Sequence, residues 1–117
     1  TGHMLFAQGS SIKLVENFYE RIIHIHCKDI RKNILEKSLK NDVTFRQAFL
    51  DGVFTVPGDG CIDYVPFLNI LKKKEYSGWL VVEAEQDPVK ANPFEYAKIG
   101  FNYLSKTAKD CGFQIID

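Results

Sequence analysis

The chain has 117 residues, of which 45% are hydrophobic and 26% charged, a composition typical of a soluble globular domain. This length accommodates one domain at most, so we expect residues 1–117 to belong to a single unit. Fifteen Lys and Arg balance fifteen Asp and Glu, and the formal net charge is +0 at pH 7. Nucleic acids and anionic membranes require a positively charged surface, so neither is expected as a partner. A small molecule or another protein is the predicted partner.

The three cysteines, Cys27, Cys61 and Cys111, are an odd number at wide spacings. This pattern fits neither a disulfide framework nor a Cys-x-x-Cys metal knuckle. No run of about 18 uninterrupted apolar residues occurs in the sequence, so no membrane-spanning helix is expected. A reducing, cytoplasmic location is therefore predicted.

Apolar residues recur at intervals of three and four over residues 12–22, which predicts an amphipathic helix. Ser10 or Ser11 is placed to cap its first turn. The helix leads directly into an apolar run at residues 22–27, which predicts a strand.

Helical patterns follow at residues 34–39 and 44–50, with Thr44 as a candidate N-cap and Gly52 as the end of the second helix. The sequence VPGDGCID at residues 56–63 concentrates proline and glycine, which predicts a sharply turning loop.

Residues 65–71 carry the next helical pattern, and residues 79–82 form a second apolar run that favours a strand. A single apolar stripe then covers about four turns from Pro93, a residue suited to a first helical turn, and Gly112 is a candidate helix end.

Both predicted strands read as apolar runs without solvent-facing alternation, which is typical of parallel strands covered by helices in an α/β fold. Two strands are too few for a stable sheet, because edges and apolar faces remain uncovered. We therefore expect the chain either to be part of a larger α/β fold or to associate with copies of itself as a homo-oligomer.

Two histidines interrupt the first predicted strand. Side chains two residues apart share a face, so His24 and His26 point one way, while Ile23, Ile25 and Cys27 point towards the covering helices. In a parallel barrel the residue nearest the carboxyl end of a strand reaches the mouth of the active site. His26 has that position, and His24 lies one layer deeper, where a hydrogen-bonded interior role is the alternative.

Two carboxylates end the second predicted strand on one face, Glu83 and Glu85. Buried carboxylates need a cation or a donor network, although a solvated strand end would also carry such residues. One imidazole and one carboxylate from neighbouring strand ends make half of a four-ligand site for a divalent metal. The pattern alone does not choose between Glu83 and Glu85.

Four stretches of the sequence resemble one known family in their order and spacing: TGHMLFAQG, RIIHIHCKDIR, GVFTVPGDGCIDY and GWLVVEAEQDP. They resemble the C-terminal part of the inosose dehydratases of inositol catabolism, which belong to the xylose-isomerase-like TIM barrels. The resemblance covers residues 1–108. It implies the end of strand six through helix eight of a (β/α)8 barrel, which would be incomplete in these residues.

The resemblance also implies a metal site. His26 matches the metal-binding histidine after strand seven, and Glu83, rather than Glu85, matches the glutamate after strand eight. A glutamate and an aspartate from the two preceding strands complete the family's ligand set, with manganese or cobalt as the expected ion. The family's Asp-Thr-Gly-His motif is present from its threonine onwards, as Thr1-Gly2-His3, so an aspartate is expected immediately before it.

The remaining matches concern the substrate. His3 matches a substrate-facing histidine, while Lys28 and Arg31 correspond to polar residues that can reach the substrate; with Glu85 they are the candidate catalytic residues. The implied reaction is a hydro-lyase step, the metal-dependent loss of water from 2-keto-myo-inositol. These residues alone are expected to be inactive. A sugar isomerase or epimerase of the same superfamily, or a non-catalytic self-associating module, are the alternatives.

Overall fold

The computed structural model describes residues 1–116. These residues form an α/β structure with short strands and a long C-terminal helix. The elements in chain order are α1 (Gly2–Phe6), α2 (Ser11–Phe18), a 3-10 helix (Tyr19–Arg21), β1 (His24–Cys27), β2 (Asp29–Ile30), α3 (Lys32–Lys40), α4 (Phe45–Leu50), β3 (Phe54–Thr55), α5 (Tyr64–Lys73), β4 (Trp79–Val82) and α6 (Pro93–Asp110). Within residues 1–116, no helix combines the length and the apolar character needed to cross a membrane.

The two predicted strands, β1 and β4, pair in parallel. His24 lies opposite Trp79, and Cys27 lies opposite Val82. The Glu83 amide donates to the Cys27 carbonyl at 3.1 Å, which continues the pairing by one residue. Helices α3, α4 and α5 lie between the two strands in the chain, as a parallel connection requires. The carboxyl ends of both strands therefore meet at the same edge.

The main core lies between this strand pair and helices α2, α5 and α6. Ile25 and Cys27 point into it from β1, as strand parity predicts. Apolar side chains of the helices cover them and exclude water, which is the main source of folding free energy. The most buried helix residues in this core are Val15, Tyr64, Phe67, Leu68, Leu71, Leu104 and Ala108.

The expectation of a strand without solvent-facing alternation is wrong for β1, whereas β4 shows no such alternation. Along β1 the side chains alternate between exposed His24 and His26 and buried Ile25 and Cys27. Helices cover one face of the pair, whereas the histidine face is open within residues 1–116. Ile23, expected to meet the helices, is 81% exposed because it precedes β1.

A second sheet, β2 with β3, was not predicted. Asp29 pairs with Thr55 and Ile30 with Phe54 in antiparallel register. Each strand has two residues, which is too short for a period-two pattern to identify. Helix α1 was also not predicted, because it has only five residues, begins with glycine and lacks a side-chain cap. The second sheet packs over a smaller core with Ile30, Leu35, Ala48, Val53 and Phe54.

The predicted helix ends are largely confirmed. The Ser10 hydroxyl accepts from the Lys13 amide at the start of α2, and Thr44 caps α4 in the same way. Gly52 and Gly112 follow α4 and α6 with φ of 84° and 87°, values in the left-handed region that favours glycine. These local signals were sufficient to predict the helix ends, because each cap involves residues within one turn of the helix.

Candidate active site

The carboxyl ends of β1 and β4 bring an imidazole and a carboxylate into contact. His26 is the third residue of β1, and Glu83 follows β4 directly. Nδ1 of His26 lies 3.1 Å from Oε2 of Glu83. The two side chains remain 55% and 34% exposed, on the open face of the strand pair. The predicted metal ligands therefore face each other where a small ligand can reach them.

The ammonium group of Lys28 is buried beside this pair. Its Nζ lies 3.0 Å from Oε1 of Glu83, and it also donates to Oε2 of Glu85. The ring of Phe54 lies under the same ammonium, 5.0 Å from Nζ to the ring centroid. Only 1% of the Lys28 side chain is exposed, so the two carboxylates compensate for its lost hydration.

His3 and Glu85 complete the cluster. Nε2 of His3 lies 2.7 Å from Oε2 of Glu85 and 3.0 Å from Nζ of Lys28. Glu85 has a φ of 57°, in the left-handed region that residues other than glycine rarely adopt. The strand ends at Val82, so this turn, rather than continued strand parity, brings the Glu85 carboxylate to the lysine. Strained backbone of this kind often occurs at functional sites.

Both glutamates have a pKa below the ordinary value for a glutamate. Burial alone would raise the pKa of Glu83, but the hydrogen bond and the charge of Lys28, with a contribution from His26, outweigh it. The pKa of Glu85 is lowered against the same effect of burial by Lys28 and His3. Both carboxylates are therefore ionised at neutral pH.

The backbone of Lys28 is held by two hydroxyl groups. The Lys28 amide donates to Oγ1 of Thr1 at 3.0 Å, and the Thr1 hydroxyl donates to the Lys28 carbonyl at 2.6 Å. The phenol of Tyr64 donates to the same carbonyl at 3.0 Å. A Cβ on Gly2 would lie 2.9 Å from Cγ of Lys28, so only glycine allows this approach. Sequence reasoning missed the role of Tyr64, for which no local signal exists.

One wall of the site is aromatic. The ring of His3 packs edge-on against Phe54 at 4.9 Å and against Phe45 at 5.8 Å between centroids. Phe6 packs against both phenylalanines from α1. The polar cluster therefore lies against an apolar surface that orients the His3 ring.

Arg31 is not brought together with the other candidate residues. Its Nη1 donates to the Gly52 carbonyl at 2.8 Å, and its Nη2 donates to Oδ2 of Asp59 at 2.7 Å. The Thr55 hydroxyl accepts from the same Nη2 at 3.1 Å. The guanidinium thus belongs to a separate network between β3, the loop at residues 56–63 and α6.

Asp29, next to Lys28 in the chain, anchors that loop from the opposite side of the backbone. Its Oδ1 accepts from the amides of Ile30 at 2.7 Å and Ile62 at 2.9 Å. Its Oδ2 is buried and has no hydrogen-bond partner among residues 1–116. Burial raises the pKa of Asp29, although the backbone amides around it act in the opposite direction. A side chain on Gly60 would collide with Oδ1, so the loop packs directly on the carboxylate.

The donor atoms of His26 and Glu83 fit a divalent metal in chemical type. One oxygen of Glu83 pairs with Lys28, which leaves the other towards the imidazole. Imidazole and carboxylate are ligands that Mn²⁺, Co²⁺ and Zn²⁺ accept. Residues 1–116 contain no group of three or more His, Cys, Asp or Glu arranged to hold a metal. Residues 1–116 thus supply two metal ligands, and a complete metal site would need further ligands.

Comparison with known proteins gives matches along most of the chain. A model of the xylose isomerase-like TIM barrel family matches residues 1–107. An inosose dehydratase of Bacillus licheniformis is 50% identical over 106 residues, covering 91% of this chain and 35% of the relative. An inosose dehydratase of Bacillus velezensis is 46% identical over 110 residues, covering 94% and 37%. The rhizopine catabolism protein MocC of Rhizobium meliloti is 45% identical over 115 residues, covering 98% and 35%. The chain therefore spans 35–37% of the length of these relatives.

Proposed function

The chain belongs to the xylose isomerase-like TIM barrel family, and from this membership we propose that residues 1–117 form the C-terminal part of a single (β/α)8 barrel domain. The segment runs from the end of strand six, through β1 and β4 as strands seven and eight, to α6 as helix eight. The parallel pairing of β1 with β4 supports this assignment, because neighbouring strands of such a barrel are parallel and joined by helices. The greater length of the curated relatives supports it too.

His26 and Glu83 would hold one divalent metal ion, with further ligands from other parts of the barrel. Both donors lie at the carboxyl ends of their strands, where barrel enzymes place their active sites. Manganese or cobalt suits a mixed set of oxygen and imidazole ligands. When bound, such an ion supplies Lewis-acid polarisation of the substrate oxygens.

The reaction that fits this site is the dehydration of 2-keto-myo-inositol, a cyclic polyol ketone. A proton leaves the carbon next to the ketone, and a hydroxyl group departs from the following carbon as water. The His3 and Glu85 pair can accept or return a proton at this position, because the two groups share a hydrogen bond beside the metal ligands. The fixed ammonium of Lys28 stabilises negative charge that develops close to it.

One observation carries this proposal: the contact of His26 with Glu83 joins the Lys28, Glu85 and His3 cluster in a chain 50% identical to an inosose dehydratase. The activity belongs to the complete protein. Residues 1–117 alone would be inactive, because the described residues 1–116 supply two metal ligands and the site needs more. A cytoplasmic location and homo-oligomer formation remain predictions.

The direct test is a substrate assay on the complete protein with manganese or cobalt added. We expect loss of 2-keto-myo-inositol with formation of the dehydrated dione, and no isomerisation of keto-sugars. His26→Ala and Glu83→Ala should each abolish turnover. Turnover of keto-sugars alone would favour the isomerase or epimerase alternative, and full activity of both variants would contradict the site.

A further inference from the structure

The guanidinium of Arg31 makes several contacts at once. It donates to the Gly52 carbonyl and to Oδ2 of Asp59, and its Nη2 lies 3.4 Å from the hydroxyl of Tyr96. The ring of Tyr96 also lies beside it, with Cζ 5.8 Å from the centroid. Contacts with several acceptors at once require a planar group with several fixed donors. A lysine could not make them, because its ammonium is a single point charge on a flexible chain. Arg31 therefore joins the end of α4, the loop at residues 56–63 and α6.

The Thr55 hydroxyl lies at the centre of this network. The residue is fully buried. Its hydroxyl donates to Oδ2 of Asp59 at 2.6 Å and accepts from Nη2 of Arg31 at 3.1 Å. It also accepts from Nε2 of Gln86 at 3.3 Å. The donor and both acceptor sites of this hydroxyl are occupied, so its orientation is fixed.

Gln86 connects the network to the candidate active site. It follows Glu85, whose φ of 57° turns the chain out of the strand direction. The side chain of Gln86 is bound to Thr55 on one side of this turn, and the Glu85 carboxylate is bound to Lys28 and His3 on the other. An unfavourable backbone conformation persists only where surrounding contacts maintain it. The side-chain hydrogen bonds of Glu85 and Gln86 lie on the two sides of this turn.

We propose that Arg31 is a positioning residue, which fixes the Thr55 hydroxyl as an acceptor for Gln86 and so holds the turn that brings Glu85 to Lys28. The inference rests on the proposed function, because it assigns Glu85 a part in the reaction. This positioning role takes the place of the direct substrate contact that the sequence resemblance implied for Arg31. The guanidinium is committed to protein acceptors, and only a quarter of the side chain is exposed.

A double-mutant cycle on the complete protein tests this role. Arg31→Lys and Gln86→Leu should each lower kcat for 2-keto-myo-inositol about tenfold while KM and bound metal change less than about twofold. In a Glu85→Gln background, neither substitution should lower kcat further, because Glu85 is the group through which both act. Arg46→Lys, on the exposed face of α4, is the matched control and should behave as wild type.

Additive losses in the Glu85→Gln background would overturn the proposal, as would a rise in KM with unchanged kcat, since either indicates a different role for Arg31. Amide hydrogen exchange separates this failure from failure of the proposed function. If the wild-type protein does not dehydrate the inosose, Arg31→Lys should still accelerate exchange of the Glu83 amide, which donates to the Cys27 carbonyl just before the turn, and Arg46→Lys should not. Unchanged exchange in Arg31→Lys would also overturn the proposal.

Discussion

The buried ammonium of Lys28 lies 3.0 Å from Oε1 of Glu83, which leaves the second oxygen of that carboxylate facing His26. The two oxygens of Glu83 thus have different partners, the Lys28 ammonium and the His26 imidazole. Lys28 holds the carboxylate ionised and fixed, and the imidazole lies beside its remaining oxygen. The properties of Lys28 and its neighbours lead to several predictions.

Lys28→Met should destabilise the complete protein by about 2 kcal/mol at neutral pH, since it leaves two carboxylates without their cation. The value lies below that for a fully buried pair, because about a third of each carboxylate side chain is exposed to solvent. Urea unfolding would measure it. Lys32→Met, at an exposed pair on α3, is the control and should cost less than about 0.5 kcal/mol.

The destabilisation caused by Lys28→Met should diminish in acid. Glu83 and Glu85 have a lower pKa in the folded protein than the ordinary value of 4.5. Their stabilising contribution is therefore complete above that value and is lost as pH falls through the folded pKa. Unfolding of wild type and variant at about pH 7 and about pH 3 gives the comparison. If the difference in unfolding free energy between wild type and Lys28→Met were the same at both pH values, ionic pairing of Lys28 with the glutamates would be contradicted.

The free energy of unfolding of Asp29→Asn, relative to that of wild type, should increase as pH rises from about 3 to 7. Burial raises the folded pKa of Asp29, so the folded state retains the proton more strongly and loses stability when the carboxyl ionises. Asparagine retains an acceptor for the Ile30 and Ile62 amides and carries no charge. Unfolding free energies of the two proteins across this pH range provide the test, and a difference independent of pH would refute the prediction.

Tyr64→Phe should lower stability by about 1 kcal/mol and reduce kcat more than it changes KM. The substitution removes only the hydroxyl that donates to the Lys28 carbonyl, and the ring remains packed in the core. Tyr19→Phe, at a partly exposed ring, is the control and should leave kcat unchanged. A wild-type kcat for Tyr64→Phe would show that the Thr1 hydroxyl alone holds the Lys28 backbone.

The sequence predicted the parts of this structure that depend on local periodicity. Strand parity placed His24 and His26 on one face and Ile25 and Cys27 on the other, as the structure has them. The resemblance selected Glu83, which is the carboxylate that contacts His26. The candidate catalytic residues were His3, Lys28, Arg31 and Glu85. The structure brings His3, Lys28 and Glu85 together and leaves Arg31 in a separate network, and the roles of all four remain predictions.

The parts that sequence analysis did not predict depend on contacts distant in sequence. Tyr64 meets the Lys28 carbonyl across 36 positions, and Thr55 meets Gln86 across 31. No periodic pattern carries such pairings. The network of Arg31 was missed for the same reason, because its acceptors come from segments that become neighbours only after folding.

Metal content tests the central claim most directly. After purification with manganese or cobalt, the complete wild-type protein should retain about one equivalent of metal per chain, as a single four-ligand site requires. His26→Ala and Glu83→Ala should retain far less, while His24→Asn, on the same face of β1, should keep its metal. Unchanged metal content in both His26→Ala and Glu83→Ala would contradict the account.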